Sequence, residues 1–241
     1  MSLNGKTVLI TGAAMRIGRS LALAVAHAGG DVVLHFGKSQ KEAESLRMEI
    51  EAVGRKAFIL QADLADPVQV ADLIFRAWEY APLFALVNNA SVFESIGWKD
   101  TSLEQWNRTM MVNLTTPFLL SQAFARSLEP EGNGRIVNLL DWRALRPGSD
   151  SLPYTISKSG LAGLTYSLAI ALAPHITVNG LALGAILPPS DGTPAKVNLE
   201  QVPARRWAKL EEVGQALIFL LDGPEYITGE IIHVDGGRHL V

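Results

Sequence analysis

The chain has 241 residues, 48% of them hydrophobic, with 21 Lys and Arg against 24 Asp and Glu for a formal net charge of -3. That length and apolar content suit one α/β domain over residues 1–241, and the near-balanced charge with no basic run argues against a nucleic-acid partner. The absence of cysteine excludes disulfides and thiolate metal or redox chemistry, and the five His form no ligand-spaced cluster, so no metal is expected.

The chain enters a strand pattern within about six residues, without a cleavable apolar segment, and no uncharged apolar run reaches the roughly 18 residues that span a bilayer. A soluble, cytoplasmic protein with no membrane partner is the expectation.

In chain order, the first strand, "TVLIT" (7–11), runs into "TGAAMRIG" (11–18), which opens a helical pattern over 19–29. Glycine at such a turn lets the backbone approach a pyrophosphate, and the helix N-terminus supplies free N–H groups, although glycine there also serves a plain turn. The second strand, "DVVLHF" (31–36), leads into His35, Gly37, Lys38 and Ser39 with no acid before Glu42. An acid at that strand end suits the two ribose hydroxyls of NAD, whereas its absence beside a Lys suits the 2′-phosphate of NADP(H). Lys38 and Ser39 also read as a helix start, with Ser39 as N-cap.

A helical pattern over 41–54 follows, then the strand "KAFILQ" (56–61) and "ADL" (62–64), whose Asp63 suits a helix cap. The strand "LFALVN" (83–88) precedes "NNASVF", and "GRIVNLL" (134–140) precedes Asp141. Tyr154 and Lys158 are four residues apart in the long helical pattern 154–173 and so share one helix face. "HITVNGL" (175–181) and "EIIHV" (230–234) complete seven strands, and the proline-rich segment 187–207 between them reads as a substrate loop or lid. Most of these runs lack in/out alternation, and strands alternate with helices, which predicts a doubly wound, seven-stranded parallel sheet with helices on both faces.

The glycine turn, "NNA" at 88–90, Asn113, the Tyr154/Lys158 pair and "VDGG" at 234–237 together resemble the short-chain dehydrogenase/reductase family over nearly the whole chain. The resemblance implies a Rossmann-type domain and hydride transfer from NADP(H), with Tyr154 supplying the proton. Lys158 would lower its pKa and hold the nicotinamide ribose, and Asn113 would complete the catalytic set. It further implies cofactor contacts from Gly12, Arg16, Ile17, Gly18, His35, Lys38, Ser39, Asp63, Leu64, Asn89, Ala90, Ser91 and Gly184, with Asp63 toward the adenine. A homotetramer joined through long helices and the last strand is also implied.

Asp141, thirteen residues before Tyr154, stands where most of the family has a serine that donates to a carbonyl oxygen. A carboxylate there would repel a developing alkoxide, but it suits a nitrogen-rich ring that offers N–H donors and needs a proton on nitrogen. With Arg16 in place of the middle glycine, and with Ser91 and Phe93, Asp141 makes the chain resemble the pteridine reductase branch. That branch implies substrate contacts from Arg16, Ser91, Phe93, Asp141 and Tyr154, with Phe93 stacking on a pterin. Singly, Phe93 reads as core, and Asp141 as an ion-pair partner of Arg143 or Arg146. Met15 and Leu183 depart from the family, where a basic residue and a proline are frequent. The alternatives are a ketone or 3-oxoacyl thioester reductase and a non-catalytic nucleotide-binding protein.

Overall fold

Successive side chains of a strand go to opposite faces, and here both faces are apolar. In β1 (Thr7–Ile10), Val8 and Ile10 join one core cluster and Leu9 the other; Val32 and Leu34 against Val33 repeat this in β2 (Asp31–Phe36), as do Val137 against Ile136 in β5 (Gly134–Asp141). Such strands need a helical layer on each side. The computed structural model, which describes residues 3–128, 132–188 and 198–241, has both.

On the first face, α1 (Arg16–His27), α2 (Gln40–Ala52) and α7 (Leu210–Asp222) contribute Leu21, Val25, Leu46, Ile50, Val213 and Leu217. On the second, α3 (Pro67–Trp78), α5 (Thr116–Ser127) and α6 (Leu152–Leu172) contribute Val70, Leu73, Leu120, Phe124 and Ala169. Each large aliphatic side chain buried this way stabilises the fold by about 1.5–3 kcal/mol relative to exposure.

With β3 (Ala57–Gln61), β4 (Leu83–Asn88), β6 (Ile176–Leu183) and β7 (Ile231–Val234), the sheet runs β3-β2-β1-β4-β5-β6-β7, every neighbouring pair parallel. The seven strands fall within two residues of their expected positions. The order reverses between β1 and β4, which opens a crevice at the carboxyl ends of the strands, where ligands of such sheets bind.

Three local features shape that crevice. α4 (Leu103–Met110) continues into α5 through a π-helical turn, Met111–Thr115, that holds Asn113 fully buried. Single π turns of this kind re-aim a side chain without ending the helix. Ser151, in the left-handed region at φ 49°, and Pro153 set the start of α6 just before Tyr154.

The segment read as a lid over 187–207 is in part anchored. Leu199–Gln201 form a 3-10 turn, Val202 is buried, and the Ala204 N–H donates to the Gly236 carbonyl at 3.0 Å. Residues 189–197 of that segment lie outside the described residues. Among the described residues, no helix is long and apolar enough to cross a membrane.

Candidate active site

The β1–α1 turn is built for close backbone approach. Gly12 has φ 62°, and a Cβ there would lie 3.0 Å from the Ala90 Cα; a Cβ on Gly18 would lie 2.1 Å from the Gly12 carbonyl oxygen. The Asn89 amide closes the turn, donating to the Thr11 and Gly12 carbonyls at 2.8 and 3.1 Å. Thr11 Oγ1 accepts from the Asn89 and Ala90 N–H groups at 2.9 and 3.0 Å, a hub the sequence reading passed over although Thr11 directly precedes Gly12. The partly buried Ile17 side chain packs against the first core cluster.

Arg16 has a left-handed backbone, at φ 54°, a conformation that costs an ordinary residue about 1–2 kcal/mol. Its guanidinium donates to the Pro188 carbonyl at 2.7 Å, which ties the glycine turn to the segment after β6.

His35 is fixed from two sides. It is 2% exposed; its Nδ1 accepts from the Gly12 N–H at 3.0 Å and its Nε2 donates to the Ala62 carbonyl at 3.1 Å. With both ring nitrogens engaged within the chain, neutral His35 clamps the Gly12 N–H to the end of β3. Burial first, against the favourable Ala62 bond, lowers its pKa to about 4.

Lys38 is exposed and has no ion pair or hydrogen bond among the described residues. Ser39 occupies the N-cap position of α2, but its hydroxyl makes no capping bond. Both are therefore open to an anion at the end of β2. Asp63 is exposed and accepts from the Ala65 N–H at 2.9 Å, while Asp66, not Asp63, caps α3. Leu64 is buried, and its carbonyl is fixed by the Thr116 hydroxyl at 2.8 Å.

Asn113 organises the segment after β4. Its Oδ1 accepts from the Val92 N–H at 2.9 Å and from the Ser91 hydroxyl at 3.3 Å, and its Nδ2 donates to the Val92 carbonyl at 2.9 Å and to Ser157 Oγ at 3.1 Å. Ser157 donates in turn to the Tyr154 carbonyl at 2.7 Å. Asn113 thus joins residues 91–92 to α6. Phe93, read singly as core, is 55% exposed, and its ring meets Tyr154 edge-on at 4.7 Å between centroids.

At the centre, Asp141 ends β5 and uses both carboxylate oxygens. Oδ1 accepts from the Arg143 N–H at 2.9 Å and pairs with its guanidinium at 3.5 Å; Oδ2 accepts from the Tyr154 hydroxyl at 3.3 Å. The ion pair and the tyrosine contact coexist, and Arg146 takes no part. Lys158, 3% exposed, donates to the Leu139 carbonyl at 2.7 Å, and its ammonium lies 5.8 Å from the Tyr154 ring centroid.

Burial of the phenol, then the Asp141 charge, raise the Tyr154 pKa well above its usual 10, with Arg143 opposing. Burial also lowers Lys158 to about 8 against the attraction of Asp141. Tyr154 is therefore a protonated phenol across the neutral range, a proton donor.

Gly184 follows Leu183, the β6 partner of Asp141, and a Cβ there would lie 2.6 Å from the Asp235 Cα. Only glycine lets β6 and the end of β7 approach so closely beside the site. Among the described residues, no group of three His, Asp or Glu gathers to hold a metal.

A model of the short chain dehydrogenase family matches residues 6–196, and the chain belongs to that family of oxidoreductases. It is an enzyme of the dehydrogenase/reductase type. The structure is similar to that of FolM alternative dihydrofolate reductase 1 from Brucella suis in complex with NADP, at 34% identity and a TM-score of 0.90, covering 98% of this chain and 96% of that one. Among curated relatives, an L-rhamnose 1-dehydrogenase (NAD(P)(+)) from Sphingomonas is 33% identical over 99% of this chain and 98% of its own length. A 3-oxoacyl-[acyl-carrier-protein] reductase from Synechocystis is 32% identical over 98% of both.

Proposed function

We propose that the protein is an NADPH-dependent reductase of a C=N bond in a pterin or related heterocycle. The observation that carries this reading is the Tyr154 hydroxyl donating to Asp141 Oδ2 at 3.3 Å. A carbonyl reductase needs a second hydrogen-bond donor beside its tyrosine, whereas Asp141 is an acceptor that accommodates ring N–H and amino groups and repels an alkoxide.

The residues fit NADP(H). The Gly12 and Gly18 cradle admits a pyrophosphate, and Lys38 and Ser39, both unengaged, offer charge and a hydroxyl to a 2′-phosphate with no acid to repel it. The NADP held by the Brucella suis enzyme supports the same choice. When bound, NADPH supplies a hydride to the ring carbon.

The chain's own residues do the rest. Tyr154 gives its proton to the ring nitrogen, so that C=N becomes CH–NH. Asp141, held through Oδ1 by Arg143, keeps Oδ2 aimed at Tyr154 and at substrate donors. Lys158 places a positive charge beneath the phenol, offsetting negative charge that develops there as the proton leaves. Phe93 presents an exposed aromatic ring to a flat heterocycle.

Ketone or 3-oxoacyl thioester reduction is the second reading, favoured by the similarity to the Synechocystis enzyme. Steady-state NADPH oxidation with dihydrobiopterin, dihydrofolate and an acetoacetyl thioester separates the two. Turnover of a dihydropterin with little thioester activity is the expected result; the reverse order overturns the pterin assignment.

A further inference from the structure

Trp142, the residue after Asp141, gathers two positive charges. The Arg238 guanidinium lies 4.3 Å from its ring centroid and that of Arg143 lies 5.1 Å away, so two arginines distant in sequence meet on one indole. Cations are attracted to the face of an indole, but two of them on one ring repel each other unless anions compensate.

Compensation is uneven. Arg143 has Asp141 at 3.5 Å and Asp150 at 3.1 Å. Arg238 makes no side-chain hydrogen bond or ion pair with the described residues. Asp235, the nearest acid in sequence, spends its carboxylate on the Gly237 N–H at 2.9 Å and on the His239 N–H and ring, each at 2.8 Å. Partial burial, then the Arg143 charge, disfavour the positive form of Arg238, while Asp141, Asp150 and Asp235 act on it only from beyond ion-pair distance. A partly buried guanidinium with its fork unfilled therefore stands within electrostatic reach of the reacting centre.

We propose that Arg238, backed by Trp142 and Arg143, forms a subsite for a carboxylate on the tail of the substrate, beside the place where the ring reacts. A guanidinium meets a carboxylate through two parallel N–H bonds, and a negative charge here also relieves the repulsion between the two arginines. This rests on the heterocycle reading of Asp141 and narrows it: heterocycles with an acidic tail, as dihydrofolate has, are preferred to those with a neutral one, such as dihydrobiopterin.

The test uses the full chain saturated with NADP+. Calorimetric titration with p-aminobenzoylglutamate, a tail without the ring, should show binding that weakens about tenfold in Arg238→Gln and is partly restored in Arg238→Lys, as loss and partial return of a charge-assisted pair require. In turnover, Arg238→Gln should lower kcat/KM about tenfold for dihydrofolate and less than about threefold for dihydrobiopterin. NADPH affinity and melting temperature, measured on each variant, report any general damage. Equal losses for both substrates, or tail binding indifferent to Arg238, overturn the subsite. Binding of 4′-phosphopantetheine in place of p-aminobenzoylglutamate also overturns it, because the anion would then be a thioester carrier's phosphate. Tail binding that depends on Arg238 in a protein with no dihydropterin turnover overturns the heterocycle reading alone.

Discussion

Acidification should loosen the glycine turn through His35. The neutral ring accepts from Gly12 at Nδ1 and donates to Ala62 at Nε2, so a proton on Nδ1 breaks the Gly12 bond and places a charge in a site only 2% exposed. The ordinary pKa of 6.5 falls to about 4 in the fold. Because the folded value lies below the unfolded one, the unfolded chain binds more protons between them. The stabilisation is complete above about pH 6.5 and is lost as pH falls toward about 4. The full contribution is about 3 kcal/mol, of which about 2 kcal/mol is lost between pH 7 and pH 5. Urea unfolding at both pH values, at one protein concentration, should show this loss in the wild type and its disappearance in His35→Gln, whose amide cannot titrate. Other histidines and carboxylates contribute equally to both proteins and cancel in the comparison. A variant that loses as much stability as the wild type over the same interval would refute the clamp.

Lys38→Ala should reduce the preference for NADPH over NADH by about tenfold or more, since a charge-assisted phosphate contact contributes roughly 1.5–3 kcal/mol; a wild type that uses both cofactors equally well contradicts the reading of the β2 end. The protein should sediment as a homotetramer, because Tyr166 and Ile170 on α6 are 43% and 82% exposed and Tyr226 before β7 is fully exposed, apolar surface that suits burial between subunits. A sedimentation mass of one chain at micromolar concentration rules this out.

The strands were legible because a parallel sheet covered on both faces demands continuous Val, Ile and Leu runs, and little else in the chain has that composition. Asp141, Tyr154 and Lys158 were legible because one strand end and one helix turn fix their spacing. Long-range geometry was not. The bonds of His35 were hidden because only the folded sheet brings the Gly12 N–H and the Ala62 carbonyl to its two nitrogens. A π turn leaves no compositional trace, so nothing in "MMVNLTT" announced that Asn113 would turn inward and spend its amide on Val92 and Ser157. The upward shift of Tyr154 comes first from burial and then from Asp141, and the burial of one phenol is not readable from residue spacing. Arg238 and Trp142 meet only through the turn that follows β7.

The most direct test of Asp141 as the determinant of substrate class is the substitution Asp141→Ser, assayed side by side on a dihydropterin and on an acetoacetyl thioester with NADPH. The change restores the donor that carbonyl reduction prefers and removes the acceptor that holds Tyr154 and ring N–H groups. The account predicts that kcat/KM for the dihydropterin falls by at least about tenfold, a loss of roughly 1.4 kcal/mol or more of transition-state stabilisation, while activity on the thioester holds or rises. Full dihydropterin activity in the variant would contradict it and leave Asp141 as the ion-pair partner of Arg143.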